Sequence, residues 1–73
     1  MTKIFDARGM KCPLPVLKAR RLVRDMEPGE ILEIQATDAG APADFTHFCE
    51  TTGNRLLETR EEGGLFIIRL QVA

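Results

Sequence analysis

The stretch DARGMKCPLPVLKARR, from Asp6 to Arg21, marks the passage from a first strand into a first helix. A proline is tolerated in the first helical turn, because the N–H that it lacks would have no partner within the helix. The sequence therefore predicts that Pro13 is the first helical residue and that Cys12 is the N-cap. A residue before proline also favours the extended geometry that an N-cap adopts. The stretch predicts a thiol at the tip of a helix.

The residues after Cys12 have the periodicity of an amphipathic helix. One face is apolar and is expected to lie on the core: Val16, Ala19, Leu22, Val23 and Met26. The opposite face is largely basic: Lys18, Arg20, Arg21 and Arg24, with Asp25 beside them. Leu14 and Leu17 fall outside the apolar stripe and near the thiol. They either dock a partner or pack against the sheet edge or a neighbouring loop.

The remainder of the chain predicts a strand, a second helix and a hairpin. Lys3 to Ala7 reads as the first strand, and the alternation in ILEIQAT, residues 31–37, as the second. Pro42 suits a first helical turn, and Gly53 a helix end. The core-facing stripe of that helix is Phe45, Phe48, Cys49 and Thr52. NRLLETRE and LFIIRLQV, residues 54–61 and 65–72, flank the hairpin loop EGG.

This order predicts a two-layer α/β sandwich, in which a four-stranded mixed sheet carries both helices on one face. On the last strand every second residue is apolar and is expected to face the helices: Phe66, Ile68, Leu70 and Val72. The other face of the sheet has its own apolar candidates, which in a small two-layer domain need not mean a dimer: Phe5, Ile31, Leu65 and Ile67. We expect one domain over residues 1–73, and a monomer.

Composition narrows the class of protein. Ten basic and eleven acidic side chains give a net charge of -1, so no global attraction draws the chain to nucleic acid or anionic lipid. No apolar run approaches the roughly 20 residues that span a bilayer, and the amino terminus does not have the pattern of a signal peptide. We therefore expect a cytoplasmic protein without a membrane segment. A reducing cytosol favours free thiols at Cys12 and Cys49.

The motif residues at the first strand-to-helix junction are Asp6, Gly9, Cys12, Pro13 and Pro15. Together they resemble the TusA/SirA-like sulfur-carrier family, whose hallmark is Cys-Pro-x-Pro at this point. The similarity continues through the PGE turn at 28–30, the ATD that ends strand two, the helix with Asp44 and Phe48, and the EEGG hairpin. One departure is Ala39, which follows Asp38 where many members carry proline.

The resemblance implies a βαβαββ sandwich and a carrier without a cofactor or metal. It implies that Cys12 accepts sulfane sulfur as a persulfide from a donor protein, such as a cysteine desulfurase or a rhodanese-like protein, and passes it to an acceptor protein. Family members serve tRNA thiolation, molybdenum-cofactor supply or sulfur oxidation, and some are implicated in selenium metabolism. The donor, the acceptor and the route remain open.

The surroundings of Cys12 suggest a mildly activated thiol. A helix N-terminus favours an anion by about 0.3–1 kcal/mol, which lowers a thiol pKa by only about 0.2–0.7 units from roughly 8.5. The backbone N–H groups of Leu14 and Val16 are the expected donors near the sulfur. Asp6 is expected to accept hydrogen bonds in a turn, and Gly9 to need positive φ or close packing. Nearby cations would steer an acidic partner: Arg8, Lys11, Lys18, Arg20, Arg21 and Arg24.

Other functions fit the sequence less well. A regulatory or RNA-binding module could use the basic helix face without thiol chemistry, but the chain is net acidic and has no Trp or Tyr. A dithiol oxidoreductase would be expected to have a Cys-x-x-Cys pair. Zinc binding by Cys12, His47 and Cys49 is disfavoured, because helix positions i and i+2 point in different directions. His47 is expected to face water, and Cys49 to be a small core residue.

Overall fold

The computed structural model describes residues 2–73. In chain order its elements are β1 (Thr2–Ala7), α1 (Leu14–Arg24), β2 (Ile31–Ala36), α2 (Ala41–Thr52), β3 (Arg55–Glu62) and β4 (Leu65–Gln71). The strands lie in the order β1-β2-β4-β3, with β1 parallel to β2 and the other neighbours antiparallel. The predicted βαβαββ order and mixed four-stranded sheet are confirmed. No helix within residues 2–73 is long and apolar enough to cross a membrane.

One face of the sheet and both helices share a single core. Leu32 pairs with Leu70 and Ile34 with Ile68 across β2 and β4, and all four side chains are fully buried. Phe45 of α2 is also fully buried, and its ring meets the Phe48 ring edge-on at a centroid distance of 6.2 Å. Burying one large apolar side chain contributes about 1.5–3 kcal/mol, so this layer stabilises the position of both helices.

Helix α1 begins one residue later than the sequence predicts. Pro13 is the N-cap, Leu14 the first helical residue, and Cys12 lies just outside the helix. The N–H of Leu14 donates to the Lys11 carbonyl at 2.9 Å, and that of Leu17 donates to the Pro13 carbonyl at 3.1 Å. A turn closed by Lys11 and Leu14 therefore precedes the helix, and the predicted Cys12 N-cap was wrong by one position.

Helix α2 ends and the hairpin turns where the sequence predicts. The N–H of Gly53 donates to the Cys49 carbonyl at 2.9 Å, and Gly53 has the left-handed conformation typical of a helix end. Gly63 and Gly64 both have positive φ, which a two-residue type I′ hairpin turn requires. Thr52, predicted to face the core, is exposed, and its hydroxyl donates to the Phe48 carbonyl at the last turn of the helix.

The outer face of the sheet differs from the prediction at Phe5. Phe5 pairs with Ile34 and packs against the core, because the parallel register with β2 turns it to the inner face. Ile67 does lie on the outer face, yet it is only 7% exposed. Glu33 and Arg69 form an ion pair at 3.3 Å across the same face. The outer surface is therefore divided by charged side chains rather than continuously apolar.

Candidate functional site

A tight turn carries the chain out of β1 toward Cys12. The N–H of Met10 donates to the Ala7 carbonyl at 3.1 Å, and Gly9, the third residue of the turn, has a φ of 80°. Positive φ at that position defines a type II turn and favours glycine. The N–H of Gly9 donates to the Thr37 hydroxyl at 2.9 Å, which ties the turn to the end of β2. Of the two alternatives predicted for Gly9, positive φ is the correct one.

Asp6 fixes the same turn through Arg8. Its carboxylate accepts the Arg8 backbone N–H at 3.1 Å and, at 2.9 Å each, the Nε and Nη2 of the Arg8 guanidinium. These hydrogen bonds lower the pKa of Asp6 to about 2, and they raise the pKa of Arg8. Asp6 is thus a turn acceptor as expected. Arg8 is held by Asp6, so much of its charge is compensated within the turn.

The Cys12 thiol is exposed at an open cleft of about 190 Å³ between the two helices. Pro13 and Val16 form the α1 side of this cleft, and Asp44 and His47 form the α2 side. The two sides meet because β1 and β2 are parallel neighbours, so the chain leaves both strands at the same edge of the sheet. The Cys12 turn and the first turn of α2 are therefore neighbours in space, although about thirty residues separate them in sequence.

The carboxylates beside Cys12 oppose its ionisation. The pKa of the Cys12 thiol is raised, chiefly because the protonated thiol can donate a hydrogen bond to Asp44, and further by desolvation and by the negative charges of Asp44 and Asp38. The prediction of a mildly activated thiol was wrong, since that reasoning considered only residues near Cys12 in sequence. One of the two expected donors is also unavailable, because the Leu14 N–H is bound to the Lys11 carbonyl.

Sequence reasoning missed the contribution of helix α2 to this cleft. His47 is exposed, as expected, but it also lines the cleft with Cys12. Asp44 and His47 are three residues apart and so share one side of their helix. A usable signal was the pair of parallel strands, each followed by a helix that begins near a proline. Within residues 2–73 there is no cluster of three His, Cys, Asp or Glu side chains suited to a metal ion.

The second cysteine has a different environment. Cys49 is 5% exposed and belongs to the core cluster with Phe45 and Phe48. Burial raises the pKa of its thiol. The predicted core position of Cys49 is confirmed, and of the two thiols only Cys12 is accessible from solvent.

The solvent face of α1 carries most of the residues predicted to contact partners. Leu14 and Leu17 are 48% and 51% exposed, so neither side chain is buried against the sheet edge or a neighbouring loop. Four cationic side chains around them are also exposed: Lys11, Lys18, Arg21 and Arg24. Arg20 is exposed too, but its guanidinium carbon lies 5.9 Å from the centroid of the Phe48 ring, in a cation–π contact with α2. We call Leu14, Leu17 and these four cations the α1 surface.

Comparison with known proteins places this fold and motif. The family model described as Sulfurtransferase TusA matches residues 3–72. The chain belongs to the TusA family. This family of sulfur carriers is the one that the Cys-Pro-x-Pro motif and its surroundings predict.

Individual relatives agree with TusA-family membership. The chain is 48% identical over 62 residues to the sulfur carrier protein TusA of Allochromatium vinosum. The aligned region covers 85% of this chain and 82% of that protein. It is 41% identical over 64 residues to the sulfur carrier protein TusA of Pseudomonas paraeruginosa, covering 88% and 81%. The crystal structure of a SirA-like protein from Desulfitobacterium hafniense superposes with a TM-score of 0.86, covering 100% and 99% at 20% identity, and shows the same fold.

The loop before α2 is where this TusA-family chain departs from the pattern by carrying Ala39. Here the Asp38 carboxylate accepts the Gly40 N–H at 3.1 Å, and the Asp38 carbonyl accepts the Ala41 N–H at 3.1 Å. These bonds form a compact Asx-type turn that leads into α2 with Ala39, rather than a proline, directly after Asp38. The loop therefore holds Asp38 close to the Cys12 cleft.

Proposed function

We propose that this chain carries sulfane sulfur as a persulfide on Cys12 and relays it to an acceptor protein. The observation that carries the proposal is the contrast between the two thiols. Cys12 is exposed at the entrance of α1, whereas Cys49 is buried in the core. A sulfur that passes between proteins needs a thiol that a partner's sulfur can reach, and Cys12 meets that requirement.

The transfer is a redox-neutral exchange. The Cys12 thiolate attacks the outer sulfur of a donor protein's persulfide, a new sulfur–sulfur bond forms on Cys12, and the donor's own sulfur–sulfur bond breaks. The donor leaves as a thiolate and takes up a proton, which balances the proton that Cys12 lost. Delivery repeats the exchange with an acceptor cysteine as the attacking group, so the reaction needs no cofactor.

The α1 surface supports docking of both partners beside the thiol. Its cations would attract an acidic partner, and steering of this kind mainly raises the rate of association. Leu14 and Leu17 offer apolar contact within reach of the same partner. We propose a cysteine desulfurase or a rhodanese-like protein as the donor, and the cytoplasm as the site of the reaction. Thiolation of tRNA, molybdenum-cofactor supply and sulfur oxidation are the candidate routes.

Mass spectrometry of the intact protein tests the relay. Incubation with a cysteine desulfurase and cysteine should add one sulfur to the wild type and none to Cys12→Ser. Cys49→Ala is the matched control and should load like the wild type, because its thiol is buried. A loaded Cys12→Ser, or a wild type that neither a desulfurase nor a rhodanese-like donor loads, would refute the proposal.

A further inference from the structure

The cleft beside Cys12 carries negative charge from helix α2 and from the loop before it. Asp44 lines the cleft in the first turn of α2. Asp38 lies close by, since Oδ2 atoms of Asp38 and Asp44 are 3.1 and 3.8 Å from the position that a Cβ would occupy at Gly40. Two carboxylates thus converge on one side of the thiol.

The charged groups on the other sides of Cys12 do not offset this pair within the cleft. Lys11 precedes Cys12 and is exposed, and Arg8 is already held by Asp6. His47 is the remaining titratable side chain that lines the cleft, and it belongs to the same side of α2 as Asp44. The surface around the thiol is therefore divided, with cations along α1 and carboxylates at the start of α2. A protein that covers both halves is matched best by an acidic patch facing α1 and a cation facing Asp44.

We propose that Asp44 keeps Cys12 as a neutral thiol in the free carrier, and that a sulfur donor protein activates it by placing a Lys or Arg side chain beside Asp44. The second half of this inference rests on the proposed function, whereas the first half concerns the free protein alone. A cation paired with Asp44 offsets the negative charge of that carboxylate beside the sulfur, and it competes with the thiol for hydrogen bonding to the carboxylate. The thiol proton then leaves to solvent, and the thiolate attacks the donor's outer sulfur as described above.

This arrangement makes reactivity depend on the partner. A thiol attacks a sulfur only in its ionised form, so a carboxylate that opposes ionisation slows reaction with small electrophiles and oxidants. The donor's cation restores ionisation only in the complex, where the persulfide is also present. Asp44 would therefore be a residue that determines which sulfur source can load Cys12.

Alkylation of the free protein tests the first half. In Asp44→Asn, the rate constant for modification of Cys12 by iodoacetamide at pH 7.5 should rise by more than about twofold, because the thiolate fraction increases. Glu50→Gln makes the same change of charge at an exposed position further along α2 and should react like the wild type. His47→Gln, measured at the same pH, reports any contribution of the imidazole. An Asp44→Asn rate within twofold of the wild-type rate would overturn the role of Asp44.

Loading by two kinds of donor tests the second half. Asp44→Asn should load faster than the wild type from cysteine persulfide, a low-molecular-weight donor. From a cysteine desulfurase it should load at the wild-type rate or more slowly, because the desulfurase's cation has lost its partner. Equal gains with both donors would overturn the proposed cation. A wild type that no donor loads would refute the persulfide relay, while the alkylation result would still decide whether Asp44 controls the thiol.

Discussion

Replacing Gly9 by L-alanine measures how strongly the turn before Cys12 depends on a left-handed residue. The new methyl group would meet no atom within 4 Å, so the change adds no steric clash and reports backbone conformation. A non-glycine residue with positive φ costs about 1–2 kcal/mol. Alanine also restricts the unfolded chain, which returns about 0.4–1 kcal/mol. We expect a net loss of about 1 kcal/mol in the free energy of unfolding.

The decisive comparison is with D-alanine at position 9, introduced by chemical synthesis and ligation. D-alanine restricts the unfolded chain as much as L-alanine does, but it favours positive φ. The two proteins should therefore differ by about 1–2 kcal/mol in unfolding free energy, with the D-alanine protein the more stable. For a domain of this size each kcal/mol corresponds to a shift of about 4–8 °C in the melting temperature.

Urea titration followed by circular dichroism gives both free energies by linear extrapolation, provided that the two slopes agree. Unfolding free energies of the two alanine proteins within about 0.5 kcal/mol of each other would refute the reasoning. The turn would then not require positive φ at position 9, and the hydrogen bond from the Gly9 N–H to Thr37 would have to hold the turn in a different backbone conformation.

Two further predictions concern the core and the Asp6 turn. Phe45→Ala should lower the free energy of unfolding by about 3–5 kcal/mol in a urea titration, because Phe45 is fully buried. Ile4→Ala, at a residue that is 63% exposed, should lower it by less than about 1 kcal/mol, and equal losses would contradict the assigned core. The folded-state pKa of Asp6, about 2, lies below its ordinary value of 3.8, so its stabilising effect is complete above about pH 4 and is lost as the pH falls toward 2. The stability difference between the wild type and Asp6→Asn should therefore close over that range, and a pH-independent difference would show that the Asp6 carboxylate charge contributes nothing.

Much of the fold could be predicted because it depends on local chemistry. Pro13 and Pro15 mark the start of α1 within one residue, and the apolar stripe that includes Ala19 does face the core. Gly53 ends α2, and the paired glycines turn the hairpin, because these conformations are set by one or two residues. The one-residue error at Cys12 arose because Pro13 lies inside the turn that Lys11 and Leu14 close, and a proline in such a turn has the same sequence signature as a proline in a first helical turn.

The chemistry of the candidate site was less predictable, because it depends on contacts between elements. Sequence periodicity shows that Arg20 is outside the core stripe, but only the packing of α1 on α2 places its guanidinium over Phe48. The same holds for Phe5, whose side of the sheet is decided by its register with β2.

The sequence by itself determined that an exposed thiol follows a glycine turn at the start of an amphipathic, partly basic helix. These features depend on backbone preferences and on periodicity, and both act over a few residues. Only the tertiary structure decided the electrostatic state of that thiol. Parallel pairing of β1 and β2 brings the first turn of α2 beside Cys12, where hydrogen bonding to Asp44, desolvation and the negative charges of Asp44 and Asp38 raise the pKa of the thiol. Coulombic interactions act through space, so their sign at Cys12 could not be obtained from its neighbours in sequence.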